Sequence, residues 1–345
     1  MNETDVRLAL IESWLTRDLS LCHERLEPAS SDASFRRYFR VFTAQGSYIV
    51  MDAPPGKEDV CPYLEVGGLL EQLGAHVPRV HERDVARGLL LLEDLGTTSY
   101  LQRLVASDNA DELYAAALRV LADIQVNGST VARTLAPYDR ETLARELALM
   151  PEWFCRRHLE LEPTAAEEAI WCRACEFLIA AALAQPQVFV HRDYHSRNLM
   201  VVAERSPGII DFQDALRGPL GYDLVSLLKD CYIAWPRTRV EAWVAGYRKL
   251  LAARGFAVAS SPQFLRDFDL IGVQRHLKVL GIFARLWHRD GKPGYLLDLP
   301  RTFDYVREAC ALYPELAELG AFLEWRVLPR LSAANATAAA ALAHA

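Results

Sequence analysis

Residues 187–228, QVFVHRDYHSRNLMVVAERSPGIIDFQDALRGPLGYDLVSLL, decide the fold that this sequence predicts. Three short apolar runs in this stretch have the length and composition of buried strands: 188–190, 199–202 and 208–210. Polar side chains stand within or directly after the connections between these runs: His191, Asp193, His195, Asn198 and Asp211. Three pieces of buried strand are therefore predicted to present polar groups at their ends.

The spacing of these groups matches the chemistry of phosphoryl transfer. An HRD triplet, four further residues, an asparagine and a hairpin that ends in an aspartate follow one another as in kinase catalytic sites. Transfer to a hydroxyl needs one carboxylate that orients the nucleophile and accepts its proton, and oxygen ligands for Mg²⁺. We predict that Asp193 has the first role and that Asn198 and Asp211 are the metal ligands. One carboxylate and one amide are sufficient because Mg²⁺ keeps several of its waters and needs few ligands from the protein. His195 is expected to steady the transferred phosphate.

Asp223 completes this pattern. It follows the chain-breaking residues Gly218, Pro219 and Gly221 and opens an apolar helical stretch. One interpretation is a helix cap on exposed chain. In the kinase-like interpretation Asp223 is buried and accepts backbone N–H bonds from the catalytic loop, which makes its role structural.

Two other interpretations of the polar residues stay open. His191, Asp193, His195 and Asp211 have the residue types of a hydrolase metal cluster that binds zinc or iron, although the sequence contains no further pair of histidines at ligand spacing. Alternatively, the polar residues only cap strands, because isolated HxD pairs are common. The combination with Asn198 and Asp223 favours the kinase-like interpretation over both.

Length and composition narrow the class of protein. The chain has 345 residues, enough for one two-lobed unit or two domains, and a net charge of −7, which gives no electrostatic footprint for nucleic acid. The N-terminal residues form an amphipathic helical pattern without the basic start of a signal peptide, and no apolar run is long enough to span a membrane. Seven cysteines, an odd number, indicate reduced thiols. We therefore expect a cytoplasmic protein.

The first third of the chain predicts a small nucleotide-binding sheet. Residues 26–31 are predicted to turn the chain into a small-residue loop, which a β-hairpin follows over 38–51. A helix is predicted over 60–73, and further strands over 77–80 and 89–92. The loop would place backbone N–H groups against nucleotide phosphates, and the last strand would end in a hinge that pairs with adenine. The nucleotide-binding candidates are Ser31, Asp32, Ser34, Arg40, Glu93 and Leu95.

The remainder of the chain is predominantly helical in pattern. Long Ala- and Leu-rich helices are predicted over 113–125, 140–158 and 165–183, and the Ala-rich end, 332–345, is predicted to be disordered. Trp153 is either helix core or a platform for a sugar ring. Arg275 stands on an otherwise apolar helix and is either solvated or part of a site for a substrate anion. The substrate candidates are Trp153, Arg197, Asp214 and Arg275.

These motifs resemble the aminoglycoside phosphotransferase-like kinase superfamily over about residues 25–300. The segments that carry the resemblance are HRDYHSRN, IIDFQDALRGPLGYDLVSLL and LLLEDLG. The resemblance implies an α+β, two-lobed, protein-kinase-like fold, with a small antiparallel-sheet N-lobe over 1–96 and a larger helical C-lobe over 97–331. It also implies ATP and Mg²⁺ as cofactors.

A narrower resemblance is to bacterial anomeric amino-sugar kinases, carried by SSDASFRRYFRV, YIVMDAPP and YLLDLPRTFDYV. It implies that the substrates are ATP and a small amino sugar, N-acetylmuramate or N-acetylglucosamine, that the C1 hydroxyl is phosphorylated, and that the role is in cell-wall recycling. Within the superfamily, an aminoglycoside, choline or an amino acid is the alternative acceptor. The sequence leaves the oligomeric state open.

One departure from the superfamily concerns the cation that binds the nucleotide phosphates. Such kinases carry a Lys or Arg on the strand that corresponds to YIVM, paired with a helix Glu, but Met51 stands at that position here. Arg36, Arg37, Arg40 and Lys57 are candidates to replace it. The departure also admits a relative that binds nucleotide without turnover.

Overall fold

The computed structural model describes residues 3–31, 35–107 and 109–343, with side chains for all of these except 3–5, 30–31, 337–339 and 341–343. The strands are β1 (Arg25–Ser31), β2 (Arg37–Thr43), β3 (Gly46–Asp52), β4 (Val80–Asp84), β5 (Leu89–Glu93), β6 (Gln187–Val190), β7 (Leu199–Met200), β8 (Gly208–Ile209) and β9 (Leu216–Pro219). The α-helices are α1 (Glu3–Ser13), α2 (Cys61–Gln72), α3 (Tyr100–Ala106), α4 (Ala110–Asn127), α5 (Arg140–Leu147), α6 (Ala165–Ala184), α7 (Gly221–Leu228), α8 (Arg237–Ala253), α9 (Ser261–His288), α10 (Leu299–Leu312), α11 (Ala317–Phe322) and α12 (Leu328–Ala343).

The chain forms two compact units that differ from the predicted division at residue 96. The first unit comprises Met1–Arg103 together with Asn198–Asp214, and the second comprises Leu104–Arg197 together with Ala215–Ala345. Backbone pairing explains why β7 and β8 belong to the first unit. Gly208 forms a parallel bridge with His76, and Met200 forms an antiparallel bridge with Ser99.

The first unit contains a five-stranded antiparallel sheet in the order β1-β2-β3-β5-β4. β2 and β3 form the predicted hairpin, whose turn at Gly46 has a φ of 139°, a conformation that only glycine adopts without strain. β5 carries four consecutive leucines that are all buried, as expected for a strand covered on both faces. The predicted antiparallel sheet is confirmed.

Two strands of this sheet differ from the sequence-based expectation. β1 occupies residues predicted as a turn, and its Pro28 is tolerated because β1 is an edge strand whose register shifts between Pro28 and Ser30. The strand predicted over 77–80 instead begins at Val80 and runs to Asp84. Pro78 has no N–H to donate to the ladder, which agrees with the later start.

The N-terminal helix covers one face of the sheet. Ile11, at the end of α1, packs with Trp14 and Leu15 into a cluster with buried residues of β2, β3 and β5. At the start of the helix, Arg7 donates to Asp52, which is fully buried at the end of β3. Apolar burial and this buried ion pair together fix α1 on the sheet.

The second unit is built around α9, a helix of 28 residues whose middle is buried on nearly all sides. The single helix predicted over 140–158 is two segments, α5 and a wider π-type helix over Met150–His158 that begins next to Pro151. This segment packs closely on α9 at Gly281, where a Cβ would lie 2.4 Å from the carbonyl carbon of Leu149. The unit also contains the antiparallel pair β6 and β9.

Two further expectations concern the tail and the cysteines. The Ala-rich tail, predicted to be disordered, continues as α12 to Ala343. All seven cysteines are free, as the sequence predicted.

Among the helices within residues 3–343, none has both the length and the apolar character of a membrane span.

Candidate active site

The first group of candidate residues lies on the hairpin of β7 and β8 in the first unit. The amide of Ile210 donates to the carbonyl of Asn198 at 3.0 Å and extends the two-residue ladder by one step. The amide of Ile209 donates to the carbonyl of His76 at 2.7 Å, which ties the hairpin to the chain that follows α2. Backbone pairing therefore places Asn198 and Asp211 side by side, as the sequence predicted.

The carboxylate of Asp211 is the centre of this group. Its Oδ2 accepts from Asn198 Nδ2 at 3.2 Å and its Oδ1 accepts from Gln213 Nε2 at 2.8 Å. A guanidinium nitrogen of Arg36 lies 4.0 Å from Oδ1. Asp211 has a φ of 62°, which is uncommon for a non-glycine residue and is often found at functional sites.

The donor set of this hairpin fits Mg²⁺. One carboxylate and one amide oxygen are hard ligands, and a Mg²⁺ ion that keeps several waters needs few others from the protein. Within residues 3–31, 35–107 and 109–343, no three His, Cys, Asp or Glu side chains form a group that would hold a metal ion. The zinc or iron cluster of the hydrolase interpretation therefore has no counterpart in the described residues.

Asp193 lies in the second unit, in the loop after β6. Its side chain is 44% exposed, and Arg275 Nη2 lies 3.9 Å from its Oδ1. Burial acts to raise the pKa of Asp193, but the nearby side chains of His195, Lys278 and Arg275 outweigh it and hold this pKa below its ordinary value. Asp193 is therefore an ionised, accessible carboxylate at neutral pH, which suits an orienting proton acceptor.

Two buried aspartates hold the backbone of this loop. Asp223 is fully buried and accepts from the amides of His191 and Arg192 at 2.7 and 3.0 Å, which confirms its predicted structural role. Asp230 accepts from the amide of Ser196 at 2.9 Å. Arg192 has a φ of 77°, so these bonds stabilise a backbone conformation that the residue rarely adopts otherwise.

His195 lies on the same loop as a largely buried imidazole. Its ring meets Tyr232 edge to face at a centroid distance of 5.4 Å, and its Nδ1 has no hydrogen-bond partner among the described residues. Burial lowers the pKa of His195, although Asp230 and Asp193 act in the opposite direction. The imidazole is therefore neutral at pH 7. It is suited to donate a hydrogen bond but not to form an ion pair.

The four predicted substrate residues have different surroundings. Arg197 is exposed, and its guanidinium carbon lies 3.7 Å from the centroid of the Tyr232 ring. Arg275 is only 4% exposed. Trp153 is half-buried on the π-type segment, and Asp214 is exposed in the first unit. Arg197 and Arg275 lie in the second unit with Asp193, as does Trp153.

The predicted nucleotide-binding residues of the first unit also have other partners. Arg40 forms a bidentate ion pair with Asp94, at 2.6 and 3.0 Å, and donates to the carbonyl of Gly96. The side chain of Glu93 lies 3.2 Å from His76 Nε2. Leu95 is buried against Gly208, where a Cβ would lie 2.8 Å from Leu95 Cδ1. Of the remaining candidates, Ser31 ends β1, and Asp32 and Ser34 lie outside the described residues.

A buried charge network in the second unit was missed by sequence reasoning. Glu146 of α5 forms ion pairs with Arg192 and with Lys278, whose Nζ lies 3.0 Å away. Its carboxylate also accepts from the hydroxyl of Tyr138. In the sequence, Glu146 stands among charged residues of an ordinary helix, and the arginine of the HRD triplet, which is 22% exposed in the structure, is the one signal that a carboxylate partner is needed.

The sequence of this chain is similar to a known enzyme family and to proteins from two Pseudomonas species. The model of the phosphotransferase enzyme family matches residues 25–260. A Pseudomonas aeruginosa protein named N-acetylmuramate/N-acetylglucosamine kinase is 52% identical over 299 residues, which cover 86% of this chain and 87% of the relative. A Pseudomonas putida protein of the same name is 47% identical over 331 residues, covering 93% and 96% of the two chains.

A solved structure supports the same fold. The choline kinase LicA from Streptococcus pneumoniae aligns with a TM-score of 0.61 at 15% sequence identity, over 89% of this chain and 99% of LicA. The likeness confirms the predicted protein-kinase-like α+β fold. With the family match over more than half of its length, the chain belongs to the phosphotransferase enzyme family.

Proposed function

We propose that this protein transfers the γ-phosphoryl group of ATP to the anomeric hydroxyl of N-acetylmuramate and N-acetylglucosamine. The observation that carries the proposal is the state of Asp193, a half-exposed carboxylate with a lowered pKa on a loop that Asp223 fixes. The shared name of the Pseudomonas relatives supports the choice of sugar.

In this proposal, Asp193 orients the C1 hydroxyl and accepts its proton as the sugar oxygen forms a bond to the γ-phosphorus and ADP leaves. A carboxylate with a low pKa is a weak base, which is sufficient because the transition state is loose and an anomeric hydroxyl is more acidic than an ordinary alcohol. The neutral imidazole of His195 donates a hydrogen bond to the transferred phosphate.

The nucleotide side of the reaction is assigned to the first unit. Asn198 and Asp211 would hold Mg²⁺, which neutralises charge on the β- and γ-phosphates when bound. Backbone groups of Glu93 and Leu95 would pair with adenine. Ser31, Asp32 and Ser34 remain predictions for the phosphate side. Arg40, the fourth predicted residue, is paired with both oxygens of Asp94 and is less suited to that role.

We further propose that Arg197 binds the lactyl carboxylate of N-acetylmuramate, with Trp153 and Asp214 as contacts to the sugar. Arg197 and Arg275 are both substrate candidates from the sequence. Arg275 is buried beside Asp193 and donates to Cys231 Sγ at 3.7 Å, so it is better placed to position the catalytic carboxylate. Arg197 is exposed on the face of Tyr232, an arrangement that leaves guanidinium edges available for bidentate binding of a carboxylate.

The proposed product, a sugar 1-phosphate, indicates the metabolic role of the reaction. A sugar 1-phosphate is the substrate class for nucleotidyl transfer, so we propose a role in peptidoglycan recycling towards UDP-N-acetylmuramate. The reaction would take place in the cytoplasm, where ATP is available.

The test is an ADP-release assay on N-acetylmuramate, N-acetylglucosamine, kanamycin and choline, followed by phosphorus NMR and a reducing-sugar assay of any product. We expect turnover with both amino sugars and loss of the reducing end, because phosphorylation at C1 blocks ring opening. Turnover with kanamycin or choline alone would point to another small-molecule kinase. ATP binding without ADP release on every acceptor would indicate a binding protein without turnover.

Arg197→Gln tests the recognition of the lactyl carboxylate. We expect the KM for N-acetylmuramate to rise by about 10- to 100-fold, the usual effect of losing a hydrogen-bonded ionic contact, and the KM for N-acetylglucosamine to stay unchanged. Arg25→Gln is the matched control, since Arg25 is also exposed on an aromatic ring, 4.0 Å from the Phe42 centroid, and has no proposed role in sugar binding. An equal effect on both sugars, or a carboxylate-specific loss in Arg25→Gln instead, would contradict the assignment.

A further inference from the structure

The first unit lacks a cation at the strand position where related kinases bind the nucleotide phosphates. Met51, which stands there, is fully buried on β3, paired across the sheet with Tyr38 and Leu90. Glu65 of α2 is exposed, so the helix offers no buried carboxylate at this point either. Because Met51 is apolar and Glu65 is exposed, another side chain must bind the α- and β-phosphates of the nucleotide.

The partners of Arg37 and Arg40 disfavour both as the replacement. Arg37 donates through Nε, at 2.9 Å, and through Nη2 to Asp52, a carboxylate without solvent exposure. Arg40 is engaged by both oxygens of Asp94. Taking either arginine away from its partner leaves a poorly solvated carboxylate behind, which is costly.

Lys57, the third alternative, is exposed in the loop after β3. Its Nζ lies 5.6 Å from the centroid of the exposed Phe35 ring. A lysine ammonium is a strongly hydrated point charge, so it binds phosphate oxygens less specifically than a guanidinium, which contacts two of them at once.

Arg36 differs from these three in its position. Its side chain is 9% exposed, and Nη2 lies 4.0 Å from Oδ1 of Asp211, the carboxylate assigned to the metal. A guanidinium is charged at neutral pH, so Arg36 holds a permanent positive charge beside the metal ligand.

We propose that Arg36 binds the nucleotide phosphates in place of the missing strand cation. A Mg²⁺ held by Asp211 would neutralise charge on the nucleotide phosphates, so a guanidinium 4.0 Å from that carboxylate would be within reach of the same phosphates. A guanidinium contacts such oxygens in pairs, which a lysine at Met51 would not do. The inference rests on the proposed function, because it assumes that the nucleotide is ATP.

The test is calorimetric titration of adenosine, AMP and ADP, with and without Mg²⁺, into the wild type and into Arg36→Met, Arg36→Lys and Arg40→Met. In Arg36→Met we expect ADP to bind about 10- to 100-fold more weakly and adenosine to bind as in the wild type. Arg36→Lys should recover part of the loss, since it retains the charge. The step of the series at which the loss begins identifies the phosphate that Arg36 contacts.

A structural role would give a different pattern. If Arg36 only supports the fold, adenosine, AMP and ADP weaken together and Arg36→Lys restores all three, which overturns the proposal. Unchanged ADP binding in Arg36→Met, or a phosphate-dependent loss only in Arg40→Met, overturns it too. The test also distinguishes this inference from the proposed function. A wild type that binds ADP but phosphorylates no sugar would refute the proposed function. Turnover retained at low ATP in Arg36→Met would refute only the role of Arg36.

Discussion

The catalytic loop, residues 191–197, and the hairpin of β7 and β8 follow one another in the chain but are held by different forces. In the loop, buried carboxylates accept the backbone amides, with Asp223 serving two of them and Asp230 a third. In the hairpin, backbone pairs with backbone, and the carboxylate of Asp211 accepts from the side-chain amides of Asn198 and Gln213.

This difference separates stability from chemistry in the two regions. Removal of a buried charge that supports the loop leaves amides or cations without partners in a medium of low polarity, so the fold itself is weakened. Removal of the Asp211 carboxylate leaves the hairpin ladder in place. We therefore expect substitutions around the loop to change the free energy of unfolding, and those in the hairpin to change metal binding alone.

Asp193→Asn is expected to have the largest effect and is an instructive exception within the loop. The side chain is half-exposed and the amide has nearly the same shape as the carboxylate, so melting should be nearly unchanged. Loss of the proton acceptor should lower kcat by about 10²- to 10⁴-fold, while ATP binding is retained. Steady-state kinetics with calorimetric ATP titration measures both quantities. Normal turnover in this variant would remove Asp193 from its role.

Glu146→Gln should be the most destabilising change near the loop. The amide has nearly the same shape but leaves Arg192 and Lys278 without their counter-charge, and breaking a buried ion pair costs about 3–5 kcal/mol. Urea unfolding measures the loss. The matched control is Glu176→Gln, which removes an exposed partner of Arg140 and should change stability by less than about 0.5 kcal/mol. Equal stability of the two variants would refute the view that buried charge supports this region.

Asp223→Asn tests the same view through pH. Burial raises the pKa of Asp223 from 3.8 to about 7, against the two amide bonds that lower it. Between pH 4 and 7 the carboxyl of Asp223 is ionised in the unfolded chain and protonated in the folded chain. The contribution of Asp223 to the free energy of unfolding is therefore largest below pH 4 and decreases as the pH rises to 7. The slope is at most about 1.4 kcal/mol per pH unit.

Unfolding free energies of the wild type and Asp223→Asn across this range measure that contribution. The amide cannot ionise, so the stability difference between the two proteins should shift in favour of the variant from pH 4 to pH 7. Parallel curves would show that Asp223 is ionised throughout the range and that its amide bonds outweigh burial.

The sequence predicted the parts of this site that are local or that belong to the kinase-like motif. Asp223 received its structural role from the kinase-like interpretation, since its local context alone also allowed an exposed helix cap, and its amide partners are confirmed. The pairing of Asn198 with Asp211 followed from two short apolar runs that flank a turn. In the hairpin, the short chain between the two residues carries the geometric information.

The parts that the sequence did not predict depend on distant partners or on context. Glu146 meets Arg192 across 46 positions, and no local pattern distinguishes it from an exposed helical glutamate. Arg36, Arg37 and Arg40 were equivalent until their partners at Asp52 and Asp94 were known. β1 was missed because Pro28 indicates a turn unless the strand is known to be at an edge.

Asp211→Asn should give the smallest effect on stability and a clear effect on metal use. The amide preserves the size of the side chain and the β7–β8 ladder is untouched, so the melting temperature should stay close to that of the wild type. Mg²⁺ loses its carboxylate ligand, and we expect half-saturation of turnover to need at least about tenfold more Mg²⁺. Asn198→Ala should act in the same direction. The Mg²⁺ dependence of turnover and thermal melting test the pair together, and an unchanged metal requirement with lowered melting would reverse the contrast between hairpin and loop.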